Sequence, residues 1–275
     1  MLSFIKIEVK FSSDKQPQNP FLGSTLRGAF GYALKQIVCV NYKYKCAECL
    51  SNNSCLFYDF YEAKNSYHKY RFSKPIGEDN YDFAFYLYEG VCEKLPYILN
   101  AFYEMAANCG FGFEREKAAI KTISCNGVVV YENDKFNMPA ISPSKFEIKD
   151  ISDRCRLQFI TPLRMKADNL LLRSKPTLEQ ILISIYNRLN SLKDIPLSRL
   201  PFEPLYKEGK SEIRFTDFSR YSNRQQTKMQ LGGIMGFVEY TAIDPNSFAL
   251  LQLGEITGAG KQTVFGLGEL KISAI

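Results

Sequence analysis

The sequence of 275 residues has no run of about 18 consecutive apolar residues, the length that a membrane-spanning helix needs. Its first residues, MLSFIKIEVKF, alternate like a β-strand and lack the pattern of a secretory signal. Both absences predict a cytoplasmic protein that does not enter a membrane. In a reducing cytoplasm, the eight cysteines are not expected to form disulfides.

Histidine is almost absent, since His68 is the only one in the chain. Histidine is the side chain best suited to proton transfer near neutral pH, so an enzyme with this sequence has a single candidate of that type. His68 lies in NSYHKYRF, directly before a predicted strand. A structural or exposed role is the alternative interpretation of this residue.

The common nucleotide-binding motifs are also missing from the glycine-rich segment GAGKQTVFGLGEL, residues 258–270. A Walker loop needs a glycine five residues before Gly260 and a hydroxyl residue after Lys261, but those positions hold Glu255 and Gln262. A dinucleotide loop would need a third glycine where Thr263 stands, and a βαβ unit around it. The segment therefore has another role.

Two roles are open for this glycine-rich segment. Its glycines would let the backbone approach an RNA chain, with the lysine meeting a phosphate, or they would form a tight turn that places the last strand. The residues predicted to bind RNA are Gly258, Gly260, Lys261, Gly266 and Gly268.

Positive charge exceeds negative charge by six, and most of the surplus lies in residues 149–275, with 18 Lys and Arg against 13 Asp and Glu. The richest polar stretch is RYSNRQQTKMQLGGIMGF, residues 220–237. Its cations, and those of the TPLRMK segment, can pair with phosphates or belong to solvated surfaces. The candidates are Arg220, Arg224, Lys228, Arg164 and Lys166.

Four cysteines cluster with the spacing C-x6-C-x2-C-x5-C, while four others are scattered. One C-x2-C pair with two outer cysteines is able to complete a tetrahedral zinc site. A structural zinc is predicted, with unmetallated thiols or an iron–sulfur cluster as alternatives. The predicted ligands are Cys39, Cys46, Cys49 and Cys55. The scattered cysteines, predicted to be small buried residues, are Cys92, Cys109, Cys125 and Cys155.

Hydrophobic periodicity predicts the order β-α-β-β-α-β in the first half of the chain. Residues 4–11 alternate, and a helix is expected from Ser24 as N-cap. YHKYRFSKP and YDFAFYLYEG are predicted strands, and the next helix ends near Gly110. Asn126-Gly127 predicts a hairpin turn.

The second half repeats this order. CRLQFITPLRM is a predicted strand, residues 177–193 a helix, and EIRFTDFSRYS and GGIMGFVEYTAI two strands. A short helix is expected after Asp244-Pro245, before a last strand in LGELKIS. The predicted fold is α+β, with two ferredoxin-like (RRM-like) domains at 1–148, carrying the cysteine insert 39–55, and at 149–275, carrying the glycine-rich loop 258–268. Such a tandem leaves a groove for a long ligand.

Several of these segments, in this order, resemble the CRISPR-associated repeat-RNA processing endoribonucleases of the RAMP superfamily. They are LRGAFGYALKQIVC, TPLRMK, RYSNRQQTKMQLGG and GAGKQTVFGLGEL. The resemblance implies recognition of CRISPR repeat RNA, often as a stem-loop. It also implies metal-independent cleavage of precursor crRNA by 2′-OH attack, leaving a 2′,3′-cyclic phosphate and a 5′-OH. The same resemblance implies that the protein stays bound to the mature crRNA and that other CRISPR effector-complex subunits are its partners. Arg27 is also among the residues predicted to bind RNA.

The sequence departs from the family at the histidine that often follows RGAFG, where Tyr32 stands. Three options follow: His68 transfers the proton, Tyr32 replaces the histidine with help from Lys35 one turn along the helix, or cleavage is slow or absent. The hypothesis is a weak nuclease that uses Tyr32, Lys35 and His68. The alternatives are a crRNA-binding subunit without cleavage and, less consistent with the motifs, a nucleotide-binding or phosphotransfer enzyme.

Overall fold

The computed structural model describes residues 1–12, 17, 20–43, 45–64, 67–78, 80–167, 169–222 and 227–275, with the side chains of 219–222 and 227–229 outside the description. Contacts divide the chain into two units, Leu2–Lys145 and Phe146–Ile275, and Met1 belongs with the second. No helix within the described ranges has both the length and the apolar character to cross a bilayer.

In its described residues, the first unit contains two α-helices, α1 (Gly23–Val38) and α2 (Leu95–Glu104), and seven strands. The strands are β1 (Ser3–Phe11), β2 (Tyr70–Ser73), β3 (Phe83–Tyr88), β4 (Ile120–Cys125), β5 (Val128–Glu132), β6 (Lys135–Phe136) and β7 (Ser144–Lys145). They form one sheet in the order β2-β3-β1-β4-β5-β6, with β7 on β1. The four strands β2-β3-β1-β4 and the two helices make the ferredoxin-like arrangement.

An aromatic core joins the helices of the first unit to this sheet. Phe30 of α1 is fully buried, with its ring centroid 5.1 Å from that of Phe102 on α2 and 5.2 Å from that of Phe85 on β3. Alternation along β1 places Ile5, Ile7 and Val9 in the same core. The hydrophobic pattern thus faces the helices as predicted.

In the first unit, the predicted hairpin turn agrees with the structure, whereas the predicted N-cap of α1 does not. Asn126 and Gly127 both have positive φ, 48° and 82°, and close the β4–β5 hairpin as predicted. The prediction of Ser24 as N-cap is wrong, because α1 begins at Gly23 with Leu22 as N-cap. Phe21 and Leu22 are each only 4% exposed, so their burial, and not a capping hydroxyl, starts the helix.

The part of the second unit that the structure describes contains α3 (Leu178–Leu192), α4 (Pro245–Thr257) and eight strands. The strands are β8 (Arg154–Leu163), β9 (Lys166–Ala167), β10 (Leu170–Leu171), β11 (Lys207–Thr216), β12 (Ser219–Ser222), β13 (Thr227–Gln230), β14 (Gly233–Thr241) and β15 (Leu270–Ala274). The main sheet has the order β11-β14-β8-β15, the ferredoxin-like order again, while β9–β10 and β12–β13 are separate hairpins. The predicted fold class is confirmed.

Both helices of the second unit begin at a residue that caps them. The Thr177 hydroxyl accepts from Gln180 N at 3.2 Å, and the Gln180 side chain accepts from Thr177 N, which forms a capping box. Asp244 caps α4, as expected for a helix after Asp244. The predicted single strand EIRFTDFSRYS is interrupted, since β11 ends at Thr216 and β12 begins at Ser219.

Candidate functional site

One face of α1 is built to hold the helical turn Tyr58–Glu62. Arg27, Gly31 and Lys35 recur every four residues and therefore share this face. A Cβ on Gly31 would lie 2.5 Å from Cε1 of Tyr61, so only glycine lets this ring come so close. The Tyr61 hydroxyl donates to Arg27 O at 2.6 Å. Phe57 stacks on Tyr61 with ring centroids 5.1 Å apart.

The predicted RNA contact Arg27 is engaged within the protein. Its guanidinium Nε donates to the Tyr70 hydroxyl at 3.0 Å, Nη2 donates to Phe60 O at 3.3 Å, and Cζ lies 4.4 Å from the Tyr61 ring centre. Burial raises the pKa of Tyr70 and that of Tyr61, so both hydroxyls stay protonated at neutral pH. These contacts give Arg27 a structural role that the sequence pattern did not show.

Tyr32 and Lys35 lie on the same helix but have different neighbours. Tyr32 is about half exposed, and the guanidinium carbon of Arg115 lies 5.6 Å from its ring centre. The Lys35 ammonium lies 5.3 Å from the ring centre of Phe57, on the side that faces Tyr58–Glu62. The two side chains are therefore one turn apart and belong to adjacent surfaces of α1.

His68 lies just before β2 and is oriented by the same helical turn. Its Nδ1–H donates to the carbonyl oxygen of Asp59 at 2.8 Å, and its ring centroid lies 5.9 Å from that of Tyr70. A carbonyl oxygen only accepts, so this bond assigns the proton of the neutral ring to Nδ1 and leaves Nε2 as the acceptor. His68 is thus in the tautomer that can take a proton at Nε2.

The four clustered cysteines surround one cavity of about 210 Å³, which Phe57 and Tyr58 also line. Burial raises the pKa of the Cys46 thiol, Lys35 opposes this, and Glu62, Cys39 and Cys55 add to the rise. Within the described part of the chain, no three His, Cys, Asp or Glu side chains are arranged to hold a metal ion. The cysteines share a cavity but not ligand geometry, so the zinc site stays a prediction. The four scattered cysteines are buried, as predicted.

The glycine-rich loop of the second unit packs against the protein's own backbone. Gly260 and Gly268 have φ of 75° and 71°, and a Cβ would lie 2.5 Å from Arg164 O at the first and 1.8 Å from Ala259 O at the second. This close approach accounts for glycine at both positions. The loop also places Lys261 in an exposed position.

Three of the predicted RNA-binding cations lie in one region of the second unit. Lys261 N donates to Arg164 O at 2.7 Å, which joins the glycine-rich loop to the TPLRMK segment. Arg164 Nη1 donates to Gly232 O at 2.8 Å, next to the β12–β13 hairpin, and Lys166 is exposed on β9. Of the hairpin cations, Arg224 lies outside the described residues, and only the backbone pairing of Arg220 and Lys228 is described.

A turn that the sequence analysis did not single out lies next to Tyr32. It runs from Phe111 to Glu116 and carries a fully exposed phenylalanine, Phe113, beside Arg115. The spacing of Gly110 and Gly112 around an aromatic residue is the only sequence signal of this feature. Pattern alone does not reveal it, because an exposed aromatic residue looks the same in sequence as a buried one.

Family models match both units. A model of an N-terminal domain family, AF_1859_N, matches residues 2–143, more than half of the chain. A model described as CRISPR-associated endoribonuclease Cas6 matches residues 157–270. An uncharacterised protein from Archaeoglobus fulgidus is 24% identical over 279 residues, covering 92% of each chain.

Solved structures share the fold at low sequence identity. A Cas6 product complex matches with a TM-score of 0.59 and 14% identity, covering 99% of both chains. A RAMP protein binding different RNA substrates matches with a TM-score of 0.52 and 11% identity, covering 98% of this chain and 99% of the other. These matches agree with a tandem of ferredoxin-like folds.

Proposed function

We propose that this chain, which belongs to the AF_1859_N family and matches the CRISPR-associated Cas6 endoribonuclease family over residues 157–270, binds CRISPR repeat RNA and cleaves precursor crRNA. The observation that carries the proposal is the joint placement of the glycine-rich loop and the TPLRMK segment. The hydrogen bond from Lys261 N to Arg164 O joins the backbones of the two segments, which carry the cations Lys261, Arg164 and Lys166. Such a cluster suits consecutive phosphates of an RNA chain.

The proposed reaction is an intramolecular transesterification. A base takes the proton from a ribose 2′-OH, O2′ bonds to the adjacent phosphorus, and the bond from phosphorus to O5′ breaks. An acid then gives O5′ a proton, so the products are a 2′,3′-cyclic phosphate and a 5′-OH. Cations stabilise the charge that develops on the phosphorane oxygens.

Tyr32, Lys35 and His68 are the side chains proposed to serve this reaction. Tyr32 has a hydroxyl at an exposed position near the Arg115 cation. His68 has an acceptor at Nε2, since Nδ1 donates to Asp59 O. The proposed role of Lys35 is to contribute positive charge near the phosphate. Because each of the three has its own neighbours, RNA has to bridge them in the productive complex.

The proposal is tested by incubating the protein with the repeat RNA of its own CRISPR array, with and without a chelator. We expect cleavage that survives chelation and a product whose 3′ end resists ligation until the cyclic phosphate is removed. RNA with a 2′-deoxy nucleotide at the cut site should bind and stay intact. Cleavage that stops on chelation would contradict the mechanism.

Variants at the three positions separate catalysis from binding. Tyr32→Phe or His68→Gln should lower the cleavage rate by roughly 100-fold or more if that side chain transfers a proton, with RNA affinity unchanged. Tyr97→Phe is the matched control, because Tyr97 is also about half exposed on a helix of the same unit.

The second candidate function is a crRNA-binding subunit without cleavage. The observation that favours it is Tyr32 at the position where the family often has histidine. In that case the wild-type protein shifts repeat RNA in a gel and leaves it intact. This candidate also fits the proposal that the protein stays on mature crRNA and meets other CRISPR effector subunits.

We also propose that the cysteine insert binds a structural zinc ion, with Cys39, Cys46, Cys49 and Cys55 as ligands. The shared cavity of about 210 Å³ supports this proposal. Four thiolates would leave no open coordination position, so the metal would have no part in RNA cleavage. The thiols would have to move closer together than they are in the structure to reach ligand geometry.

A further inference from the structure

The turn between α2 and β4 is closed by backbone hydrogen bonds, although its tip is exposed to solvent. Phe111 N donates to Glu116 O at 2.8 Å and Glu116 N donates to Phe111 O at 2.9 Å, which closes the turn at its base. Gly110 has φ of 72°, and a Cβ there would lie 2.2 Å from Arg115 O. These contacts constrain the backbone conformation at the base of the turn.

Buried side chains anchor the base of this turn in the first unit. The ring of Phe111 stacks on that of Tyr81 with centroids 4.6 Å apart, and meets the Phe11 ring edge-on at 5.6 Å. The Tyr81 hydroxyl donates to Glu116 Oε2 at 2.8 Å. Burial and this carboxylate raise the pKa of Tyr81 to about 12, so the hydroxyl remains a donor.

The tip of the turn presents an aromatic ring to solvent. Phe113 is 103% exposed, although an isolated ring of this size normally gains from burial. Arg115 follows two residues later and extends toward Tyr32, with 5.6 Å between its guanidinium carbon and the tyrosine ring centre. Glu114, which lies between these two residues in the chain, is acidic and also exposed.

A third exposed ring lies near the end of α1. Tyr42 is 60% exposed, and its hydroxyl donates to Gln36 O at 2.9 Å and to Lys35 O at 3.2 Å. Burial, together with Cys39 and Tyr32, raises the pKa of Tyr42. The exposed side chains of Tyr32 and Phe113, with Arg115 from the same turn as Phe113 and near Tyr32, are called the aromatic platform below.

We infer that the aromatic platform binds unpaired nucleobases of the RNA, with Phe113 as a stacking residue and Arg115 as the cation that accompanies it. Exposed rings offer flat faces on which bases can stack. The Arg115 guanidinium near the Tyr32 ring adds attraction for phosphate and for the base planes. The inference rests on the proposed RNA binding and assigns a binding surface to the first unit.

The absence of tryptophan from the chain makes a direct test possible. Phe113→Trp creates a protein with a single indole at the tip of the turn. We expect its fluorescence to be quenched as repeat RNA is added, in parallel with the binding curve from labelled RNA. Tyr97→Trp places a single indole near the start of α2, away from the turn, at a position about as exposed as Tyr32. Its fluorescence should not be quenched by RNA.

Affinity measurements complete the test. Phe113→Ala should weaken RNA binding by roughly 5-fold to 150-fold, the range for the loss of one base stack, and Phe113→Tyr should restore it. Arg115→Gln should weaken binding and make it less sensitive to salt. Thermal unfolding of Phe113→Ala should match that of the wild type, because the side chain packs against nothing.

Two results would overturn the inference while leaving RNA binding intact. One is that Phe113→Ala binds repeat RNA with wild-type affinity and that the fluorescence of Phe113→Trp is not quenched, although labelled RNA shows that this variant has formed the complex. The other is equal quenching of Phe113→Trp and Tyr97→Trp. A wild-type protein that binds no repeat RNA would overturn the proposed function itself, and the inference with it.

Discussion

At the scale of single residues, neighbouring positions on α1 show how packing assigns roles to identical amino acids. Gly28 and Gly31 lie on the same helix, three residues apart. A Cβ on Gly28 meets no atom within 4 Å, whereas a Cβ on Gly31 would meet the Tyr61 ring at 2.5 Å. Tyr61 cannot yield easily, because Phe57 stacks on it and its hydroxyl is bonded to Arg27 O. Gly31 is therefore structural, and Gly28 is not.

The same substitution at these two glycines should have opposite effects on stability. Gly28→Ala should stabilise the protein by up to about 1 kcal/mol, because alanine restricts the unfolded chain and favours the helix. Gly31→Ala should destabilise it by about 1–3 kcal/mol through overpacking against Tyr61. Urea denaturation followed by circular dichroism measures both. Equal effects of the two substitutions would show that Tyr61 moves freely.

Arg27 shows why residue roles are hard to infer from charge. A basic residue near the start of an amphipathic helix is readily interpreted as an RNA contact when RNA binding is expected. The structure has its guanidinium bonded to Tyr70 and Phe60, which come from 33 to 43 residues later in the chain. Charge in a sequence does not reveal such partners, because they depend on how distant elements pack.

At the scale of elements, α4 depends on its N-cap. Asp244 Oδ1 accepts from Asn246 N and Ser247 N, each at 3.0 Å, and Oδ2 accepts from the Ser247 hydroxyl at 2.6 Å and from Leu205 N at 3.0 Å. Partial burial pushes the pKa of this carboxyl upward, but these hydrogen bonds outweigh it and hold the pKa below 3.8. The charged cap therefore stabilises the folded state.

The sign of the pH dependence follows from the lowered pKa of Asp244. Its contribution is complete above the ordinary pKa near 3.8 and is lost as the pH falls through the lower folded-state value. Asp244→Ala should cost about 0.5–2 kcal/mol at pH 7, and less once the pH has fallen through the folded-state pKa of Asp244. Asp244→Asn, which keeps an acceptor and cannot titrate, is the control. Thermal unfolding of all three proteins across pH 2–7 gives the comparison; a pH-independent cost of the alanine variant would contradict the account.

The cysteine insert is the element whose order the proposed zinc would explain. The described residues of the segment 39–55 form short helical turns at Cys46–Glu48 and Asn52–Ser54, around a common cavity. Protein purified without chelators should contain about one zinc per chain by elemental analysis. Cys46→Ser combined with Cys49→Ser should remove the metal, and Cys125→Ala, outside the cluster, should keep it. Far less than one equivalent in the wild type would refute the zinc site.

At the scale of the whole molecule, both units repeat the same order of strands, with the strand order β2-β3-β1-β4 in the first sheet and β11-β14-β8-β15 in the second. Alternating patterns in β1 and β8 and helical patterns in α2 and α3 were sufficient to predict this repetition. The cysteine insert and the separate β12–β13 hairpin are additions to the common plan. RNA recognition is proposed for the glycine-rich loop, the TPLRMK segment and the turn Phe111–Glu116, while the sheets support them.

Periodicity and turn chemistry were enough to order the helices and strands, because both depend on residues that are close in sequence. Alternation marked β1, the Asn126-Gly127 pair marked a hairpin, and Asp244 marked the start of α4. Contacts between distant residues came from packing alone. Burial of Phe21 and Leu22 moved the start of α1, Tyr61 required Gly31, and the closed turn at Phe111–Glu116 brought Arg115 beside Tyr32. Such pairings depend on shape and distance in the folded chain, which no local pattern of residues contains.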